Sequence, residues 1–122
     1  TEIYTLPLHD ALPISVCDLY ARVYLNDQFA RSPHELHVAA SKYVCAAGQA
    51  AAYRRMEPHL SEEELALLKR GRNAHSGTMP KNASAADYHT ATGLEALVGW
   101  LFLCGNDARL NELMEYFFST GS

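Results

Sequence analysis

The residue with the most evident chemistry is Glu95, a carboxylate inside the apolar segment TATGLEALVGWLFL at positions 90–103. Its apolar neighbours are Leu94, Leu97, Val98, Leu101 and Phe102. Such a segment predicts a largely buried helix, in which a carboxylate needs a partner. The partner is either a basic side chain or a hard cation such as Mg²⁺, which can activate water for attack on a phosphodiester. Thr92 lies on the same helix face, where its hydroxyl could orient Glu95 or a metal-bound water.

A second candidate site is LKRGRNAHSGTMPKN at positions 68–82, hereafter the basic segment, which holds four of the ten Lys and Arg residues. The four cations are Lys69, Arg70, Arg72 and Lys81, and the neutral hydrogen-bond donors are Asn73, Ser76 and Asn82. Cations beside a helix end and on a loop can contact phosphates on both sides of a groove. The helix dipole alone also favours cations at a C-terminus, so the spacing leaves ordinary solvated side chains as an equal alternative.

Two other patterns do not predict a metal site. In His34-Glu35-Leu36-His37 the histidines are three apart, whereas the zinc motif H-E-x-x-H places them four apart, and Glu35 is explained by helix capping. The cysteines are Cys17, Cys45 and Cys104. An odd number without C-x-x-C spacing predicts small buried hydrophobic residues in a reducing cytoplasm.

Length and composition indicate one domain. The chain has 122 residues, of which 48% are hydrophobic, enough for a single core. The formal charge of −4 excludes a nucleic-acid binder that relies on overall charge, so any such contact must be a local patch. No apolar run reaches the roughly 18 residues that span a bilayer, and the first 15 residues lack a signal-peptide pattern. We expect a soluble cytoplasmic protein without a membrane partner.

Capping signals divide the chain into helices. Ser32 to Glu35 forms a capping box with Pro33 at the first helical position, and a helix is expected through about Arg55, ended by Pro58. We expect Arg54 and Arg55 to be solvated cations near its end. The Ala-rich stretch 46–52 suits either a dimer interface or an intrachain helix contact.

The second half of the chain predicts three more helices. Ser61 to Glu64 is another capping box, and Gly71 helps to stop its helix. An exposed loop is expected at 73–83, followed by a helix at 86–104 capped by Ser84. A last helix at 107–118 places Leu110, Leu113, Met114 and Phe117 on one face. Since no segment alternates at strand spacing, the predicted fold is all-α.

Three segments together closely resemble the mini-ribonuclease III family: the basic segment, TATGLEALVGWLFL and the earlier SPHELHVAASKYVCAAGQA. The resemblance runs from about Val16 to Phe118 and predicts a helical ribonuclease III-like domain at 16–122. Residues 1–15 depart abruptly from the family and resemble a translated adapter sequence, so we expect an atypical, foreign leader.

The resemblance implies an endonuclease that cuts double-stranded RNA with Mg²⁺ and works as a homodimer. It also implies maturation of the ends of 23S ribosomal RNA precursor, with a ribosomal protein on that RNA as a further partner. Carried over by position, Glu95 is the catalytic carboxylate and metal ligand. The RNA-binding residues are Lys69, Arg70, Arg72, Asn73, Ser76 and Lys81. Recognition is expected to follow duplex shape, with the basic segment in place of a separate RNA-binding domain.

The first family signature is damaged here. Relatives carry Gly-Asp-Ala-Val-Tyr-Glu-Leu-Tyr-Val-Arg, whose Asp ligates the metal, but Ile14 stands at that position in this chain. An aliphatic side chain cannot ligate Mg²⁺. Asp10 is the candidate replacement, although it lies about one helical turn too early, with Pro13 in between. Asp18 is expected to serve packing or pairing.

Three functions therefore stay open. The first is an endoribonuclease that uses Glu95 and the basic segment. The second is a catalytically impaired RNA-binding or dimerisation module, because Ile14 removes a ligand. The third is an unrelated helical interaction domain in which Glu95 is a satisfied core acid.

Overall fold

The structure, a computed structural model, describes residues 16–28, 32–73 and 84–119. The α-helices in these ranges are α1 (Val16–Gln28), α2 (Pro33–Val44), α3 (Ala46–Met56), α4 (Glu62–Asn73), α5 (Ala85–Leu103) and α6 (Asp107–Phe117). A short 3-10 turn, Glu57–His59, follows α3 at Pro58. The described residues contain no strand, which confirms the all-α prediction.

Helix α5 is the centre of the fold and packs against α1, α3, α4 and α6. Its start is fixed by Ser84, whose Oγ accepts a hydrogen bond from the backbone N–H of Asp87 at 3.0 Å, as the capping pattern predicts. Its end is fixed by Gly105, where a φ of +73° reverses the chain. Phe102 departs from the prediction of a buried neighbour of Glu95, because 41% of its surface is exposed.

The predicted helix from Pro33 to Arg55 is wrong as a single element, because the backbone is extended at Cys45 (φ −67°, ψ 163°). Cys45 ends α2 by donating its N–H to Ser41 O, and its Sγ accepts from Gly48 N–H at the start of α3. The turn is tight, since a Cβ on Gly48 would come 2.2 Å from Lys42 O. Glycine is therefore required at this position.

The helices α4 and α5 cross at two glycines. A Cβ on Gly71 would come 2.6 Å from Ala96 Cβ, and a Cβ on Gly93 would come 2.5 Å from Leu68 O. The prediction that Gly71 stops its helix is wrong, because α4 continues to Asn73. Gly71 instead allows the two helix backbones to approach closely.

The C-terminal helix α6 closes the core with the four side chains predicted from its spacing, Leu110, Leu113, Met114 and Phe117, all of which are buried. Arg55 departs from the prediction of a solvated cation. It is not merely solvated but half-buried, and its guanidinium donates to the carbonyls of Tyr116 (3.1 Å) and Phe117 at the end of α6. These bonds satisfy carbonyls that have no helical N–H partner and tie α3 to α6.

The cysteine prediction holds for one residue in three. Cys17 is buried in the core, whereas Cys45 and Cys104 are exposed, and all three are free thiols. Ala50 and Ala52 are buried inside the chain, which favours the intrachain alternative for the Ala-rich stretch. Within the described part of the chain, no helix has the length and apolarity needed to cross a membrane.

Candidate active site

Glu95 lies half-buried on α5, and its described contact is with Gln49 on α3. The Gln49 Nε2 donates to Glu95 Oε1 at 3.0 Å and to the backbone carbonyl of Val44 at 2.9 Å. Only 2% of Gln49 is exposed. No ion pair to Glu95 occurs within residues 16–28, 32–73 and 84–119, so a neutral amide holds this carboxylate there.

Thr92 does not orient Glu95 by donation, contrary to one sequence expectation. Its hydroxyl donates to Tyr88 O at 2.9 Å, one turn back along α5. Such a bond to the preceding turn is the usual satisfaction of a threonine inside a helix. The proton of this hydroxyl is therefore engaged with the helix backbone.

Two carboxylates affect the pKa of the buried Cys17 thiol. Burial raises the pKa of the Cys17 thiol well above its ordinary value, and the charges of Glu95 and Asp18 raise it further. Asp18 forms an ion pair with Arg22, whose Nε donates to its Oδ1 at 3.2 Å, in agreement with the expected pairing role. Cys17 is thus kept as a protonated, unreactive core thiol.

The cationic end of α4 lies at a different part of α5. Lys69, Arg70 and Asn73 are exposed there and Arg72 is half-buried. A cavity of about 460 Å³ opens between the two helices. Its lining residues are Arg72, Asn73, Ala86, His89 and Thr90. The described lining has cationic and neutral donors and no carboxylate, which suits an anionic ligand. Neither His89 nor Thr90, which follow Ala86 by about one turn of α5, was predicted from the sequence.

The glycine crossing brings the basic segment to the turn of α5 that carries Glu95. A Cβ on Gly93 would lie 3.2 Å from both the backbone N and the Cβ of Arg72, and Gly93 precedes Glu95 by two residues. Two residues of helix rise correspond to about 3 Å. Because two residues also correspond to about 200° of rotation, Arg72 and Glu95 lie at the same level of α5 but on different faces, one packed by α4 and the other by α3.

Several predicted site residues lie outside the described ranges. These are Asp10, Ile14, Ser76 and Lys81, together with most of the loop expected at 73–83. Among the described residues, no cluster of three or more His, Cys, Asp or Glu side chains could hold a metal ion. Of the carboxylates predicted for the metal site, Glu95 lies within the described ranges and Asp10 does not.

Comparison with known proteins identifies the family of this chain. A family profile described as "Ribonuclease III domain" matches residues 14–106, which include Glu95 and the whole basic segment. A mini-ribonuclease 3 of Enterococcus faecalis is 40% identical over 104 residues, covering 84% of this chain and 79% of that protein. The chain belongs to the mini-ribonuclease III family. The mini-ribonuclease 3 of Brevibacillus brevis is 47% identical over 87 residues, covering 71% of this chain.

The chain is also similar to a solved structure. A crystal structure of a Fusobacterium nucleatum protein matches with a TM-score of 0.73 and 27% identity, covering 88% of this chain and 83% of that one. This chain spans 65% of the length of the Brevibacillus brevis mini-ribonuclease 3.

The described side chains fit a hydrated Mg²⁺ ion. This cation usually keeps several waters and binds through one or two carboxylates plus substrate phosphate. Glu95 offers one carboxylate, which no described basic side chain neutralises. The Oε1 of Gln49 is buried without a hydrogen-bond partner in the described structure, and it could accept a bond from a water.

Proposed function

We propose that this mini-ribonuclease III is an Mg²⁺-dependent endoribonuclease that hydrolyses double-stranded RNA. The observation that carries the proposal is Glu95, a half-buried carboxylate that is held by the neutral amide of Gln49 and paired with no described basic side chain. The cationic end of α4 packs on another face of the same helix. We further propose the ends of 23S ribosomal RNA precursor as the substrate, with a ribosomal protein on that RNA as a partner.

The side chains have separate tasks in this proposal. Glu95 holds the metal ion, and Gln49 fixes one of its carboxylate oxygens. When bound, Mg²⁺ supplies Lewis-acid activation of the water that hydrolyses the phosphodiester. The RNA contacts are assigned to Lys69, Arg70, Arg72, Asn73, Ser76 and Lys81. Cations on a helix end and the following segment can follow the phosphates of an A-form duplex by shape.

The competing proposal is an impaired RNA-binding or dimerisation module, which the residue at position 14 favours. Ile14 cannot supply a carboxylate, and Asp10 is its proposed replacement. The test is cleavage of a long RNA duplex, with and without Mg²⁺, by this chain and by its Pro13→Gly, Ile14→Asp variant. Mg²⁺-dependent cleavage by the repaired variant supports the endonuclease, and cleavage by neither contradicts it.

The same experiment tests Asp10. If the chain as written also cleaves, an added Asp10→Asn substitution is expected to abolish that cleavage. Full cleavage by the Asp10→Asn variant would exclude Asp10 as the replacement ligand.

The RNA-binding assignment is tested by the salt dependence of duplex affinity. Replacing Arg72 with Gln is expected to weaken binding on all duplexes and to reduce the slope of log affinity against log salt by about one. Arg54→Gln is the matched control, because Arg54 is an exposed cation at the end of α3. Equal slopes for the two variants would contradict a specific phosphate contact at Arg72.

We also propose that the protein works as a homodimer in the cytoplasm. Large apolar side chains support a protein contact, since Trp100 and Phe102 on α5 are 40% and 41% exposed. Light scattering of the purified chain is expected to give twice the monomer mass at micromolar concentration. A monomer mass under these conditions would contradict the dimer.

A further inference from the structure

The buried amide of Gln49 has a hydrogen-bonding pattern that core packing does not explain. Its Nε2 has two protons, and both are used, on Val44 O at 2.9 Å and on Glu95 Oε1 at 3.0 Å. Because both partners are acceptors, the identity of the donating nitrogen is fixed. Its Oε1 is buried and has no hydrogen-bond partner in the described structure. An unsatisfied carbonyl of this kind is unfavourable, so its presence calls for a functional explanation.

The interruption between helices α2 and α3 at Cys45 creates this arrangement. Because α2 ends at Val44, the Val44 carbonyl lies at a helix end. There it accepts a hydrogen bond from the side chain of Gln49, five residues later. The close packing at Gly48 maintains the break. One amide therefore connects the end of α2, the first turn of α3 and Glu95 on α5.

We propose that Gln49 is a positioning residue for the metal-binding carboxylate, a role that rests on the proposed function. Its Nε2 holds Oε1 of Glu95 and thereby directs the other carboxylate oxygen to the cation. Because Oε1 and Nε2 of Gln49 belong to one amide, the unpartnered oxygen lies next to the carboxylate. Because this oxygen is buried and has no described donor, the two bonds of Nε2 set the orientation of the amide.

A purely structural role for Gln49 makes a different prediction. An amide that serves only the core would change stability when it is replaced, and Mg²⁺ affinity would stay the same. Loss of a group that orients a metal ligand typically weakens metal binding by about 10- to 100-fold. Metal affinity therefore separates the two roles without relying on catalysis.

The test compares Gln49→Met, which keeps the volume but removes both polar atoms, with Met56→Leu. Met56 is fully buried on the same helix and lies two turns beyond Gln49. Isothermal titration calorimetry with Mg²⁺ is expected to show about 10- to 100-fold weaker binding for Gln49→Met and unchanged binding for Met56→Leu. Equal affinity of the two variants would overturn the positioning role.

A metal-independent measurement completes the design. The side-chain amide resonances of Gln49 are expected to shift in Glu95→Ala, because that substitution removes the acceptor at 3.0 Å. Unchanged resonances would contradict the contact itself. If the parent chain binds Mg²⁺ and Gln49→Met binds it equally well, only the positioning role fails. If the parent chain binds no Mg²⁺, the proposed metal-dependent function fails with it.

Discussion

Two glutamates face the interior of this domain, and their surroundings differ in charge. Glu64 on α4 is 8% exposed and receives two bonds of 2.7 Å from Arg109, whose guanidinium also donates to His59 O. Glu95 on α5 is half-buried and is held by the neutral amide of Gln49. An arginine neutralises a carboxylate and ties elements together, whereas an amide orients the carboxylate and preserves its charge. Glu64 therefore serves the fold, and Glu95 remains available for a cation.

The pKa of Glu64 agrees with this structural role. The hydrogen bonds from Arg109 lower it below its ordinary value of 4.5, against burial, which raises it. The backbone N–H of Ser61 also donates to Glu64 Oε1 at 2.9 Å, completing the capping box of α4. Glu64 thus joins the start of α4 to α6.

The largest expected effect comes from Glu95→Gln. We expect cleavage of duplex RNA to fall about a thousandfold, because a metal ligand stabilises the transition state by several kcal/mol. The free energy of unfolding should change by less than about 1 kcal/mol, since a glutamine carbonyl can still accept the bond from Gln49. Single-turnover cleavage and urea unfolding measure the two quantities. Strong destabilisation with cleavage retained would make Glu95 a core acid.

An intermediate effect is expected from Glu64→Gln. The loss of charged hydrogen bonds to Arg109 should lower the free energy of unfolding by about 1.5–3 kcal/mol. The cleavage rate per folded molecule should not change, because Glu64 contacts no described residue of the active site. A selective loss of cleavage in this variant would remove the distinction between the two glutamates.

The smallest effect is the pH dependence of the difference in unfolding free energy between the parent chain and Glu64→Gln. Because the pKa of Glu64 is lower in the folded state, its stabilisation is full above the ordinary value of 4.5 and is lost as pH falls through the folded-state pKa. The stability gap between the parent chain and Glu64→Gln should therefore narrow below pH 4.5. Urea unfolding at several pH values between about 3 and 7 measures this gap. A constant gap would contradict the pairing.

Local signals in the sequence predict most of the fold. The caps at Ser32, Ser61 and Ser84 are all present in the structure, because a side-chain oxygen and an N–H three residues later need no distant partner. The buried face of α6 also follows from its spacing alone. The break at Cys45 was missed because the flanking alanines favour an uninterrupted helix.

The contacts between distant segments could not be predicted in this way. Gln49 meets Glu95 across 46 positions of sequence, and Arg55 meets Tyr116 O across 61. Both contacts depend on how α3 packs against other helices, which residue type and spacing do not specify. Glu95 was identified because a carboxylate in an apolar helix is unusual by itself, whereas a glutamine in an Ala-rich segment is not.

The most direct test of the distinction between the two glutamates is Mg²⁺ binding by the parent chain, Glu95→Gln and Glu64→Gln, each verified as folded. If Glu95 holds the cation, affinity should fall at least about tenfold in Glu95→Gln and stay at the parent value in Glu64→Gln. Equal affinity in all three proteins, or no binding by the parent chain, would contradict the assignment of Glu95 as the metal ligand.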